Sequence, residues 1–320
     1  MKMSYKGCLV TGGAGFIGSN LIRRLYYGHT CSEVYVIDNL YSGSLDNIIN
    51  LLEEESIKFY NIDLSCNKHL NKVFPRDTDV VFHLAAVTGL EEVEKDPITA
   101  FKSNVIATMN ILDTAVKYGV NTIIYASSAA VYGEPHNLPV SEGHKANPTN
   151  LYGYMKYLGE MLLNHYYIKY GLNTIILRYF NVYGPRMRGG PYASVIHNFI
   201  TSLSKNLRPV IFGDGRQTRD FIYVDDVVEA SIRSMELEGF NILNIGSGVE
   251  TSILDLLNII SSILGYKDVN PIYKPRRRHE IYRIKADISK ARAILNWSPK
   301  VSLKEGVRKT IDWYKNYVFK

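Results

Sequence analysis

The chain has 320 residues, 46% hydrophobic and 21% charged, with a formal net charge of +6. That length supports one large domain or two closely joined ones with a substantial core, and the composition is that of a soluble globular protein. No apolar stretch approaches the roughly 20 residues that cross a bilayer, and the positive charge is too diffuse to indicate nucleic acid, so neither membrane nor nucleic acid is expected as a partner.

Residues Met1 to Lys6 run straight into an apolar run, so no signal peptide is expected and a cytoplasmic protein is. The three cysteines (Cys8, Cys31, Cys66) are odd in number and lack metal-ligand spacing. They read as reduced thiols, with no metal site. The run Gly7-Cys8-Leu9-Val10 feeds Thr11-Gly12-Gly13-Ala14-Gly15-Phe16-Ile17-Gly18, and a helical pattern starts at once. Glycines at 12, 15 and 18, or at 13, 15 and 18, allow a tight turn, backbone approach to a pyrophosphate, and close helix–strand packing. The helix N-terminus then directs free N–H groups at the phosphates. The next strand ends in Asp38, about 20 residues past the last glycine, where a carboxylate meets an adenosine ribose. That acid favours NAD, because a 2′-phosphate would face a negative charge. Asn39, Ser42 and Gly43 follow in a polar turn suited to the adenosine pocket.

Strand-like runs alternate with helical patterns through the first half, which predicts α/β architecture: a doubly wound parallel sheet with helices on both faces. A helix over 45–55 and a strand over 57–60 lead to Asp63 and Leu64. Asp63 lies either on the sheet edge where ligands bind or at a helix cap. A strand over 80–84 contains His83, read as a packed core histidine, and runs through Leu84 into Ala85 and Ala86, small enough for a cofactor to lie on the backbone. A helix over 97–118 carries Asn104 on its buried face. A strand over 122–126 ends in Ser127 and Ser128, followed by a polar loop over 134–150.

The next helix opens Leu151-Tyr152-Gly153-Tyr154-Met155-Lys156, and Tyr152 and Lys156, four apart, share one face. Tyrosine titrates near 10 and is a poor base at neutral pH. A nearby ammonium favours the phenolate, and a bound nicotinamide's positive ring adds to that effect, poising a general base. With 24 tyrosines in the chain this spacing also arises by chance; its place after a strand-end serine makes it catalytic.

These pieces together resemble the extended short-chain dehydrogenase/reductases, and within them the nucleotide-sugar 4-epimerases. Matching stretches continue through Arg178-Tyr179-Phe180-Asn181-Val182-Tyr183-Gly184-Pro185, Gly213-Asp214-Gly215, Arg219-Asp220-Phe221, Asn244-Ile245-Gly246 and Ala286-Asp287-Ile288-Ser289-Lys290. The resemblance implies NAD as cofactor, a UDP-hexose as substrate, and a homodimer. It implies that Ser128 and Tyr152 contact the sugar's 4-hydroxyl, that Lys156 holds the nicotinamide ribose, and that Tyr179 lies near the nicotinamide. Asn181, Val195, Arg219 and Arg277 then hold the nucleotide and its diphosphate, leaving Arg276 and Arg278 to solvent. The reaction implied is oxidation at C4, rotation of the 4-keto sugar, and return of hydride to its other face.

Related dehydratases and decarboxylases carry acids beside the serine, where this chain has Ala129 and Ala130, so chemistry at C4 alone is expected. Three positions depart from the family pattern: His279 replaces a usual glycine, Val87-Thr88-Gly89 lacks a larger or basic residue, and His197 replaces a common proline. His197 faces either the uracil or solvent. Ile284 occupies the position that limits the sugar's 2-substituent. Its intermediate size leaves UDP-glucose and UDP-galactose first, the N-acetylhexosamines second. A nucleotide-sugar reductase and a non-catalytic dinucleotide-binding protein are the rival readings. The division expected is a dinucleotide-binding domain over 1–178 and a smaller substrate domain over 179–320, with a helix from Asp226 returning to the first. Tyr166, Tyr167 and Tyr170 are expected to be exposed on a dimer surface.

Overall fold

Apolar strands separated by helices long enough to cross a sheet fold in parallel. In a computed structural model describing residues 5–187, 189–190, 193–277 and 280–319, the chain begins β1 (Tyr5–Thr11), α1 (Phe16–Tyr27), β2 (Cys31–Asp38), α2 (Ile49–Glu53) and β3 (Lys58–Asn61). It continues through α3 (Asn67–Val73), β4 (Thr78–His83), α4 (Leu90–Lys95), α5 (Pro97–Phe101), α6 (Ala107–Tyr118) and β5 (Thr122–Ser128). Next come α7 (Leu151–Tyr170), β6 (Asn173–Tyr179), β7 (Asn181–Tyr183), α8 (Val195–Ser204), β8 (Val210–Phe212) and β9 (Thr218–Tyr223). The last elements are α9 (Val224–Arg233), β10 (Phe240–Ile245), β11 (Glu250–Ser252), α10 (Ile253–Leu264), β12 (Ile272–Lys274), α11 (Ser289–Leu295) and α12 (Leu303–Tyr317).

Seven strands in the order β10-β6-β5-β4-β1-β2-β3 form one parallel sheet, the doubly wound fold expected. The winding reverses between β1 and β4, and that switch opens a crevice at the strands' carboxyl ends. Alternation along each strand builds two cores: Cys8 and Val10 face α1, whereas Leu9 faces α6 and α7. Two elements beyond residue 178 return to this unit. Strand β10 extends the sheet beside β6, and α9 packs on α1. The other late strands form a three-stranded sheet (β11-β9-β7) and a β12-β8 pair. Among the described residues no helix is long and apolar enough to cross a membrane.

Three expectations change. The helix over 97–118 is continuous, but Lys102–Ile106 forms a π turn between α5 and α6. Cys8 and Cys31 are not free thiols: they form a disulfide, with Cα atoms 6.0 Å apart, leaving Cys66 unbonded. The register of β1 on β2, with Tyr5 opposite Cys31 and Cys8 opposite Val34, brings both sulfurs into one core; sequence spacing holds no sign of it. Tyr166 is buried, its hydroxyl donating to the Asp113 carboxylate, while Tyr167 and Tyr170 are exposed.

Candidate active site

The glycine turn is built so tightly that side chains would not fit. Gly12 has φ +70°, and a Cβ there would lie 2.7 Å from the Ala85 nitrogen. A Cβ on Gly18 would lie 2.2 Å from the Gly12 carbonyl. Gly15 starts α1 with no side-chain cap and no acid in the first turn. By contrast, α7, α8, α10 and α12 are capped by Asn150, Ser194, Ser252 and Ser302. The first N–H groups of α1 are thus left for an anionic ligand. Asp38, at the end of β2, accepts from Ala14 N at 3.0 Å and Leu40 N at 2.8 Å. Burial pushes its carboxyl up, and these two N–H groups pull it back.

A cavity of about 300 Å³ lies over this turn. Gly12, Gly15, Phe16, Ile17 and Gly18 form its floor; Asp38, Asn39, Ser42, Asp63 and Leu64 wall one end. Leu84, Ala85 and Ala86 wall the middle, and Ser128, Tyr152, Lys156 and Tyr179 close the other end. Two expected cofactor residues stand behind the wall. Gly43 packs on Ala14, where a Cβ would come within 2.9 Å of backbone. Asn104 spends its amide on Val87, accepting from its N–H at 2.8 Å and donating to its carbonyl at 2.9 Å. The π turn instead presents Ser103, and Ala107 follows it on the lining. Neither was legible in sequence, because a regular helix would point a different side chain inward. Val87, Thr88, Ser127, Phe180 and Val182 also line the cavity; each neighbours a residue singled out by sequence.

At the catalytic end, Asn150 starts α7 by accepting from Gly153 N at 2.9 Å, and Tyr152 and Lys156 then face β5. Ser128 ends β5 and accepts from Ala130 N at 3.2 Å; its hydroxyl and Tyr152 line the same end of the cavity. Lys156 Nζ donates to the Ala126 carbonyl at 2.7 Å and lies 5.9 Å from the Tyr152 ring centre. Burial pushes Tyr152 up to about 12, opposed by the nearby Ser128 hydroxyl. Burial also pulls Lys156 down to about 7, opposed by the Glu160 charge. The expected lowering of Tyr152 by Lys156 is therefore not achieved by the protein's own groups: the dry site disfavours phenolate and ammonium alike. His83 is a core residue as expected, held between Thr11 Oγ1 at 2.7 Å and Thr108 Oγ1 at 2.9 Å, with burial driving it down to about 3.

The residues assigned to the nucleotide come from later elements and lie off this cavity. Asn181, on β7, donates to the Asp220 carbonyl at 3.4 Å. Arg219, on β9, pairs with Glu280 at 2.8 Å. Arg277 lies 4.1 Å over the Phe212 ring and 3.4 Å from Glu91. Val195 begins α8 and packs against the larger core. His197 is half-buried rather than open to solvent, its ring bonding the Tyr314 hydroxyl at 2.5 Å. Arg276 is exposed yet tied back, donating to the Glu280 carbonyl at 2.6 Å. Ile284 is buried in a cluster with Val131, Tyr132 and Phe180. Arg278 and His279 lie outside the described residues.

The chain belongs to the NAD dependent epimerase/dehydratase family, whose model matches residues 8–246, and NAD is the cofactor that the uncapped helix and glycine turn fit. It is 42% identical over 309 residues to a putative UDP-glucose 4-epimerase of Methanocaldococcus jannaschii, covering 96% of this chain and 98% of that protein. It is also similar to the crystal structure of UDP-glucose 4-epimerase from Thermotoga maritima with UDP-glucose, at TM-score 0.91 and 36% identity over 97% of this chain and 99% of that one. UDP-N-acetylglucosamine 4-epimerase from Methanobrevibacter ruminantium, complexed with UDP-N-acetylmuramic acid, matches at TM-score 0.91 and 34% identity, covering 98% and 99%. Other similar proteins are named UDP-glucuronate 4-epimerase and UDP-glucuronic acid decarboxylase.

Proposed function

We propose that this protein is a cytoplasmic, NAD-dependent 4-epimerase of UDP-hexoses, acting first on UDP-glucose and UDP-galactose. The observation that carries the reading is the convergence of Ser128, Tyr152 and Lys156 at one end of the dinucleotide cavity, beside Ala129 and Ala130, which hold no carboxylate for chemistry at other carbons. NAD, when bound, supplies the acceptor and donor of the C4 hydride. The residues Gly12 to Gly18 would hold its pyrophosphate, Asp38 its adenosine ribose, and Lys156 its nicotinamide ribose. Tyr152 takes the proton of the 4-hydroxyl and returns it, with Ser128 fixing the hydroxyl's direction. Arg219 and Arg277 would neutralise the substrate diphosphate, where planar guanidinium donors suit the anion.

The N-acetylhexosamine reading stays second, supported by Ile284, whose side chain is smaller than an aromatic one. The same proposal includes a homodimer. Tyr154, Leu158, Met161 and Ile168 are exposed along one face of α7, with Ile98, Phe101 and Met109 exposed on the neighbouring helix; such a stripe is what a helix-bundle interface covers.

The test is to incubate purified protein with UDP-galactose and, separately, UDP-N-acetylgalactosamine, adding no cofactor, and resolve the products by NMR. Conversion to the gluco form is expected, fastest for UDP-galactose. Failure with both substrates, even after NAD is supplied, defeats the 4-epimerase reading on UDP-hexoses.

A further inference from the structure

One buried ion pair stands directly behind the catalytic end of the cavity. Tyr152, Lys156 and Glu160 follow at four-residue intervals on α7, so the three side chains climb one helix face. Two rungs join that face to the end of β5: Lys156 Nζ donates to the Ala126 carbonyl at 2.7 Å, and Ser127 Oγ donates to Glu160 Oε1 at 2.5 Å. Glu160 also accepts a fork from Arg178, Nε to Oε1 at 2.9 Å and Nη2 to Oε2 at 2.6 Å. Arg178 lies opposite Ser127 in the register of β5 on β6, one position before the Ser128 and Tyr179 pair. Ser127, Lys156, Glu160 and Arg178 are each 3% exposed.

We propose that Glu160 is a positioning residue for the catalytic pair: its carboxylate clamps the ends of β5 and β6 to α7, one helical turn beyond Lys156. A buried ion pair is weak as a source of stability, because desolvating two charges offsets their attraction and an apolar pair of similar volume often does as well. What an apolar pair cannot do is place a negative charge one turn beyond a buried lysine. The titratable and charged groups around Lys156 are Tyr152 and Glu160 on α7, His83 on β4, Tyr125 on β5, and Arg178 and Tyr179 on β6. The three tyrosines are driven upward by burial and His83 downward, so all four are neutral near pH 7. Glu160 then faces Lys156 from one turn along α7 and Arg178 through its forked bond. The same carboxylate fixes Ser127, next to Ser128, which shares the cavity lining with Tyr152. The inference takes its use from the epimerase reading, but its first readout does not depend on that reading.

The test titrates Lys156 by NMR in full-length protein carrying ¹³Cε-lysine, the signal assigned with Lys156→Met. Glu160→Gln is expected to lower the Lys156 midpoint by about one pH unit or more, since the carboxylate charge that opposes burial of the ammonium is gone. Glu160→Gln/Arg178→Met removes the whole pair and is expected to lower it less, while Glu160→Asp, which keeps the charge, holds it near the native position. With UDP-galactose at pH 8, Glu160→Gln should lose about tenfold in kcat with KM and NAD content unchanged. A midpoint unmoved in both Gln-containing variants overturns the proposal. If Glu160→Gln fails to fold, the double variant, which leaves no orphan charge, decides alone. A wild-type protein inactive on both UDP-galactose and UDP-N-acetylgalactosamine, with NAD supplied, would sink the functional reading, with the titration still deciding this one.

Discussion

The two halves of the proposed site are built from different materials. The cofactor half is backbone: a turn in which Gly12 and Gly18 have no room for a Cβ, an uncapped helix start, and one carboxylate held by two N–H groups. The nucleotide half is side chains from scattered elements, and its two arginines already have acidic partners, Glu280 for Arg219 and Glu91 for Arg277. A backbone cradle is preorganised and tolerates almost no substitution. An arginine paired with a carboxylate must be drawn from it by a better anion, so single changes there should cost less and act on affinity.

The largest effect is expected where the halves meet. Tyr152→Phe removes the proton-transferring hydroxyl and should lower turnover by about 10²- to 10⁴-fold. NAD should stay bound, because the cradle is untouched. Near-normal turnover would remove Tyr152 from the base role; loss of NAD would show that the halves are less separate than described.

Next comes the cradle itself. In Gly18→Ala the new methyl carbon meets the Gly12 carbonyl at 2.2 Å and the Gly13 Cα at 2.7 Å. Both obstacles are backbone, so the turn must open. NAD affinity, measured by calorimetry, should fall by about a hundredfold, the equivalent of roughly 2.7 kcal/mol. Native affinity in this variant would mean the turn has slack that its geometry does not suggest.

The arginines follow. Arg277→Ala should raise KM for the UDP-sugar several-fold at nearly constant kcat, because Arg277 is half-exposed and its partner Glu91 stays hydrated. Arg219→Ala should raise KM by about tenfold or more. It also orphans Glu280, whose Oε2 is buried without a hydrogen-bond partner among the described residues. Equal effects for the two would erase the contrast drawn between them.

The same contrast decides what could be read from sequence. The residues proposed for the cofactor stood out because a turn, a helix start and a strand end are local: Gly12, Gly15, Gly18 and Asp38 are recognisable from spacing alone. Tyr152 and Lys156 were legible for the same reason, lying one helical turn apart. What stayed hidden depends on pairing across the fold. The Cys8–Cys31 disulfide follows from strand register, the lining role of Ser103 from a π turn that periodicity does not signal, and the Glu160–Arg178 pair from β6 lying beside β5. For Tyr152, the helix spacing shows Lys156 as a neighbour but not the burial that disfavours both charges.

The smallest effect concerns that dryness. Lys156 is held near 7 in the folded protein, below its usual 10.5, so the unfolded chain binds more protons between those values. Folding therefore carries a penalty for the buried ammonium that is complete below about pH 7 and fades as pH rises toward 10.5. Lys156→Met removes it. In thermal unfolding without substrate, the variant should exceed the wild type in Tm by a few degrees at pH 6, with the gap shrinking by pH 9. The Ala126 carbonyl left without a donor reduces the gain at every pH and so does not change its slope. A gap independent of pH would mean that water reaches Lys156 in the folded state, and the catalytic end would then be as solvated as the arginine half.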